Sequence, residues 1–311
     1  MSDTQHIELW SSLSERSKNI ETEMDALTRK RTGSYYTDLK LTDVMMSELV
    51  EHLKAANPTK KIYEYRFLEP CVGAGNFVFS YIEAVRTTGL DKEKAKILLD
   101  NIYVADVNVD ALNGYRESLK KMVVLFWDIK LQEDYFEKHM GTGLLVDVTA
   151  SELNYISISE VFSKDIVGTG FDIVATNPPY KNLKAECGHY INDGEYSRDK
   201  DKYSAISKIV AKHFKYSTDG VLNLYKLFVE EIIDRYANET AFVSLLIPAS
   251  IMSDKTCMKL RTHMLMDNKM ISVKVIGEGS GFIDAQQALS AILLQKSKKT
   301  DRVAVVKDYC N

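Results

Sequence analysis

The run Phe171-Asp172-Ile173-Val174-Ala175-Thr176-Asn177-Pro178-Pro179-Tyr180 constrains this chain more than any other stretch. The β-formers from Phe171 to Ala175 predict a buried strand, and it stops at an amide, two prolines and a ring. The prolines fix φ and remove two backbone donors, so carbonyls at that strand end can accept from something other than a neighbouring strand. Asn177 adds a side-chain carbonyl and Tyr180 a flat face. Together these groups suit a planar ligand that carries an NH2.

A strand that ends in a site needs a sheet around it. Ile62 to Leu68 leads into Glu69-Pro70-Cys71-Val72-Gly73-Ala74-Gly75-Asn76-Phe77, a strand, a glycine turn and then a helix to about Arg86. The two glycines permit positive φ and close approach of backbone to a ligand. A dinucleotide fingerprint needs a third glycine where Val78 stands, which argues against a pyrophosphate on that helix N-terminus. Ile102–Asp106 and Gly143–Val148 read as the next two strands, with Asp106 and Asp147 at their carboxyl ends. A carboxylate ending the second strand of a doubly wound sheet suits ribose hydroxyls.

Further strands are expected at Phe242–Ile247, Ile271–Ile276 and Ala288–Gln295, and helices at Asp110–Leu119, Leu222–Tyr236 and Lys255–Leu265. This order predicts an α/β fold, Rossmann-like and doubly wound, with a mainly parallel sheet, helices on both faces and a terminal antiparallel strand. Residues 1–31 read as an N-terminal helical segment, with Trp10, Leu13, Ile20, Met24 and Leu27 at helical spacing. Residues 32–311 then form one catalytic domain, whose first helix is expected to be capped by Thr42. A polar insertion at 181–217 interleaves lysines with Tyr190, Tyr196, Tyr203 and Tyr216, a pattern that suits single-stranded nucleic acid or a solvated mobile loop.

The net charge of −4 is unlike that of a chain that grips nucleic acid alone, because phosphate neutralisation supplies most of such affinity. Cys71, Cys187, Cys257 and Cys310 form no CxxC pair, which fits a reducing cytoplasm better than disulfides or zinc. The most apolar run, Ala241–Met252, is too short to span a bilayer. The polar, acidic start does not read as a signal peptide. These features predict a cytoplasmic protein without a membrane role.

The motifs taken together resemble the S-adenosylmethionine-dependent amino-methyltransferases, in particular the N6-adenine DNA methyltransferases of restriction-modification systems in their gamma arrangement. Gly33-Ser34-Tyr35-Tyr36-Thr37 resembles the N-terminal cofactor motif, Phe67 to Phe77 the glycine motif and Asn177-Pro178-Pro179-Tyr180 the catalytic motif. Leu224-Tyr225-Lys226-Leu227-Phe228, Leu246-Ile247-Pro248, Leu260-Arg261 and the segment around Phe282 look like the later motifs.

The resemblance implies a class I methyltransferase that uses S-adenosylmethionine and no metal. It implies that Thr37, Glu69, Gly73 and Gly75 surround the methionine end of the cofactor, with Tyr36 and Pro70 also in the cofactor site. Asp106 would take the ribose, Val107 the adenine ring and Asp147 the adenine amine, and Phe77 would close the pocket. Tyr180 and Phe282 would stack on a flipped target adenine. Family members of this arrangement carry a target-recognition domain after the last motif, and only Lys296 to Asn311 follow it here. DNA is therefore the expected substrate, with recognition expected from a specificity subunit or a missing C-terminal portion. The same tetrad occurs in methyltransferases acting on RNA guanine or on protein glutamine, and a cofactor-binding scaffold with little activity of its own is a further alternative.

Overall fold

The computed structural model describes residues 3–23, 37–57, 59–186, 192–278, 287–296 and 298–306. Tyr36, Phe282 and most of the expected N-terminal cofactor motif lie outside these residues, as do Cys187 and Cys310.

Eight strands make one sheet: β1 (Phe67–Glu69), β2 (Ile102–Ala105), β3 (Met140–Gly141), β4 (Phe171–Thr176), β5 (Ala237–Pro248), β6 (Lys269–Ile276), β7 (Leu289–Gln295) and β8 (Ala304–Val306). Their spatial order is β3-β2-β1-β4-β5-β7-β6-β8. Pairs from β3 through β5 are parallel, β7 is antiparallel to both β5 and β6, and β8 is parallel to β6. The antiparallel strand expected at the end is thus inserted between β5 and β6, and short β8 lies beyond it. Chain order reverses between β1 and β4, the place where a doubly wound sheet opens a crevice.

Side chains alternate between the two faces with the period of a strand. Phe67, Ile102, Val104, Ile173 and Ala175 join one apolar cluster with the helices Leu39–Ala56, Asn76–Arg86, Lys92–Asp100 and Val109–Trp127. Leu68, Tyr103, Ala105 and Val174 join the other, with Asp193–His213, Leu224–Glu231 and Met258–Met266. Every described residue of β1, β2 and β7 is buried, as expected of strands covered on both faces.

Three expectations need correction. The third strand is Met140–Gly141, not Gly143–Val148. Gly143 and Leu145 have φ of 88° and 69°, which breaks an extended run, and Leu145 instead forms an isolated bridge with Ile156. Asp38, not Thr42, caps the helix Leu39–Ala56: its carboxylate accepts from the Lys40 amide at 2.8 Å. Thr42 is fully buried one turn in, where its hydroxyl donates to Leu39 O and meets Ser80 Oγ of the next helix at 2.7 Å. Most of the described part of the insertion is helix and not loop. Asn192 caps a helix over Asp193–His213, and Tyr203, Ile206 and Val210 give it a narrow buried stripe.

Within the helix Asp3–Glu23, Leu13 enters the first cluster, Trp10 Nε1 donates to Asp43 Oδ2 at 3.0 Å, and Arg16 donates to Ser118 Oγ. No described helix is long and apolar enough to cross a membrane.

Candidate active site

A cavity of about 340 Å³ opens at the carboxyl ends of β1, β2 and β4, at the reversal of strand order. Its size falls in the range of small-ligand sites.

The wall after β1 is the glycine turn. Val72 donates to Ala105 O at 2.9 Å and Gly75 to Val72 O at 2.7 Å, which folds the chain tightly into the helix Asn76–Arg86. Gly75 sits at φ 92°, and a Cβ there would stand 2.6 Å from the Tyr115 ring and 2.8 Å from the Phe79 ring. Only glycine meets both demands. Gly75 therefore shapes the turn from beneath, whereas Glu69, Pro70, Gly73 and Phe77 line the cavity directly.

After β2, Asp106 accepts from the amides of Gly73 and Asn108, each at 2.8 Å, and so ties the two strand ends together. Burial raises its carboxyl above the usual range, opposed by the backbone hydrogen bonds from Asn108 and Gly73. Val107 follows on the wall and packs against Gly143, where a Cβ would come within 2.7 Å of it. Glu69 is 2 % exposed, and burial followed by the charge of Asp106 pushes its carboxyl well above its ordinary value. Its Oε2 is buried with no hydrogen-bond partner. A cavity wall with two neighbouring carboxyls, one with an oxygen that has no partner among the described residues, suits a ligand that brings positive charge and N–H or O–H donors. S-adenosylmethionine has that donor set and size, so the residues present fit it.

After β4, Asn177 and Pro179 reach the same cavity. The Asn177 carboxamide is held at both ends. Its Nδ2 donates to Thr37 Oγ1 at 3.0 Å, and its Oδ1 accepts from the Tyr180 hydroxyl. The Tyr180 hydroxyl also lies 3.0 Å from Leu246 O. One phenolic proton is shared between both oxygens, and Asn177 Oδ1 has a second lone pair for a further donor. The Tyr180 ring is half-buried and meets the Tyr225 ring edge-on at 6.3 Å.

Of the residues expected at the site, Thr37, Glu69, Pro70, Gly73, Phe77, Asp106, Val107, Asn177 and Pro179 line this one cavity. Pro178 is buried and Tyr180 adjoins through Asn177. Asp147 is not among the lining residues: its carboxylate accepts from the Thr149 amide and hydroxyl at 2.8 and 2.6 Å, while Val146, Val148 and Thr149 form that wall. Sequence reasoning missed Asn76, Asn108 and the apolar contributions of Leu224 and Phe228. A polar Asn76 opening a helix whose next six residues are all buried was the one available signal. Among the described residues no cluster of three or more His, Cys, Asp and Glu could hold a metal ion.

A family model described as Eco57I restriction-modification methylase matches residues 100–282, more than half of the chain and including the Asn177–Tyr180 tetrad. The chain belongs to that family. Solved structures similar to this Eco57I-family chain include DrdV in complex with DNA, with a TM-score of 0.70 at 14% identity over 99% of this chain and 31% of that one. The type ISP restriction-modification enzyme LlaGI, as a nuclease-deletion mutant with a DNA substrate mimic, gives 0.63 at 13% identity over 88% and 24%. The M protein of the type I restriction enzyme EcoKI gives 0.51 at 13% identity over 86% and 47%. The chain thus spans less than half of the length of each of these, and the likeness is one of fold. No curated protein matches it.

Proposed function

We propose that the chain transfers a methyl group from S-adenosylmethionine to N6 of an adenine extruded from DNA, as the modification activity of a restriction-modification system. The observation that carries this reading is the Asn177 carboxamide, fixed at both ends on the rim of a cavity whose wall suits a cationic nucleoside. Residues 1–31 are read as a helical appendage, 32–311 as the catalytic domain.

Adenine N6 is a poor nucleophile because its lone pair is delocalised into the ring. Asn177 Oδ1 and the Pro178 carbonyl each accept a hydrogen bond from one N6–H, which favours a tetrahedral nitrogen while the protons stay on N6. Asn177 stays neutral throughout, so it orients the amine and stabilises developing charge without acting as a base. S-adenosylmethionine supplies an electrophilic methyl when bound. Thr37, Glu69, Gly73 and Asp106 are its proposed seat, supported from beneath by the turn at Gly75, with Val107 and Phe77 as apolar walls. Fixing the two partners against each other carries most of the rate.

The amine is inaccessible inside a duplex, and flipping costs roughly a few kcal/mol. Stacking on the Tyr180 ring returns about 1–3 kcal/mol of that. Phe282, as a second wall, and Tyr36 and Asp147, as cofactor contacts, are proposals from sequence alone. Sequence recognition is assigned to a specificity subunit or to protein beyond these residues, a reading supported by the acidic net charge of −4 and by the larger assemblies this fold occurs in.

Incubation with labelled cofactor and DNA, RNA or protein acceptors, with and without neighbouring gene products, tests the reading. Label is expected in N6-methyladenine of DNA. Label confined to RNA or protein refutes it.

A further inference from the structure

Thr37, Asn76 and Ser17 are 6 %, 5 % and 6 % exposed and form a hydrogen-bonded line that ends on Asn177. Asn76 Nδ2 lies 2.6 Å from the Thr37 carbonyl and 3.2 Å from Ser17 Oγ in the N-terminal helix. The Thr37 hydroxyl, in turn, takes Asn177 Nδ2 at 3.0 Å. The orientation of Asn76 is not free, because a backbone carbonyl only accepts and so demands the NH2 end. Its Oδ1 is left buried with no hydrogen-bond partner among the described residues. A buried acceptor without a partner is costly, and it persists where the other end of the group is needed.

The demand arises at Asn177. Hydroxyls stand at both ends of its carboxamide, and a hydroxyl can donate or accept. The amide therefore has two hydrogen-bonded orientations related by a half-turn. Only the one with its NH2 on Thr37 offers an oxygen to an incoming amine.

We propose that Thr37 and Asn76 are positioning residues that set this orientation: Asn76 clamps the Thr37 main chain and so places the Thr37 hydroxyl where it accepts from Asn177 Nδ2, which leaves Asn177 Oδ1 on the side of the incoming amine. The assignment rests on Asn177 being the amine acceptor, as read above. It gives Thr37 a duty toward the target base in addition to its place on the cofactor wall. It also gives the N-terminal helix a route to the site through Ser17.

The test uses the full chain, labelled with 15N-asparagine, and follows the Asn177 side-chain NH2 resonance beside single-turnover methyl transfer and cofactor affinity. Thr37→Val keeps the shape of the wall and removes the hydroxyl. It is expected to shift the resonance and, at saturating cofactor, to slow transfer about a hundredfold, the separate affinity reading telling a loss at the cofactor wall from a loss of Asn177 orientation. Thr37→Ser restores both. Asn76→Ala is expected to shift the resonance in the same direction and slow transfer about tenfold. An unmoved Asn177 resonance in Thr37→Val overturns the proposal, as does Thr37→Ser behaving like Thr37→Val. Should Asn76→Ala not fold, the Thr37 pair decides alone. A wild-type chain that methylates no adenine even with its neighbouring gene products overturns the proposed function instead, while the resonance still judges the clamp.

Discussion

Gly75 and Gly89 offer a matched experiment on the glycine turn. Their φ angles are 92° and 91°, so an alanine at either meets the same left-handed strain, on the order of 1–2 kcal/mol. Their surroundings differ. A Cβ at Gly89 has no atom within 4 Å, whereas one at Gly75 stands 2.6 Å from Tyr115 Cδ2 and 2.8 Å from Phe79 Cε2 and Cζ. Those rings are 2 % and 0 % exposed and stack on each other with centroids 5.7 Å apart, so neither can swing into solvent. Overpacking of this kind adds roughly 1–3 kcal/mol. Gly89→Ala should therefore lose about 1–2 kcal/mol and Gly75→Ala about 2–5 kcal/mol. Urea unfolding of both variants measures the difference, provided the slopes agree. Calorimetry with S-adenosylmethionine should show weaker binding only for Gly75→Ala, because only that turn presents the Gly73 amide to Asp106. Equal losses of stability would mean that the rings yield, and that close packing does not fix the glycine.

Other outcomes follow from the same geometry. Asn177→Ala should bind the cofactor within about threefold of wild type and lose at least about a hundredfold in transfer, a split read by calorimetry beside a methylation assay. Burial and the charge of Asp106 raise the Glu69 carboxyl, and a cationic ligand prefers its ionised form. Cofactor affinity should therefore rise with pH, and Glu69→Gln should flatten the profile. At His263, burial works against the charged form, but hydrogen bonds to Asp234 at 2.9 Å and Asp267 at 2.8 Å outweigh it and raise the imidazole above its ordinary value. A raised folded-state value stabilises below the unfolded value, about 6.5, and that contribution is lost as pH rises through the folded one. Urea midpoints taken upward from pH 6 should fall for the wild type and fall less for His263→Gln.

How much of this was legible in the sequence depends on whether local chemistry or distant packing decides each element. The strand Phe171–Thr176 and its abrupt end were readable because two prolines and an apolar run leave few alternatives. Asp106 was readable because it closes the apolar run Ile102–Ala105. The segment Gly143–Val148 misled because apolar composition reports burial and not extension. Leu144, Leu145 and Val146 are buried as a cavity wall with left-handed residues among them. Asp38 and Thr42 are both capping types, and the choice falls to Leu39 and Leu41, whose burial at 3 % and 2 % draws them inside the helix. The helix Asp193–His213 was hidden because only Tyr203, Ile206 and Val210 anchor it. The partners of Asn76 lie 39 and 59 residues away, and no local pattern announces them.

At the sheet end opposite the cavity, Asp172 accepts from Lys60 Nζ at 2.8 Å, the Arg66 amide at 2.8 Å and Asn238 Nδ2 at 2.9 Å. One carboxylate thus fastens the entries of β1, β4 and β5, while the exits of β1 and β4 border the cavity. For anyone building variants, the strand axis becomes a map of risk. Changes near Asp172 trade in thermal tolerance, changes near Asn177 trade in turnover, and libraries drawn from the two ends can be combined with little interference.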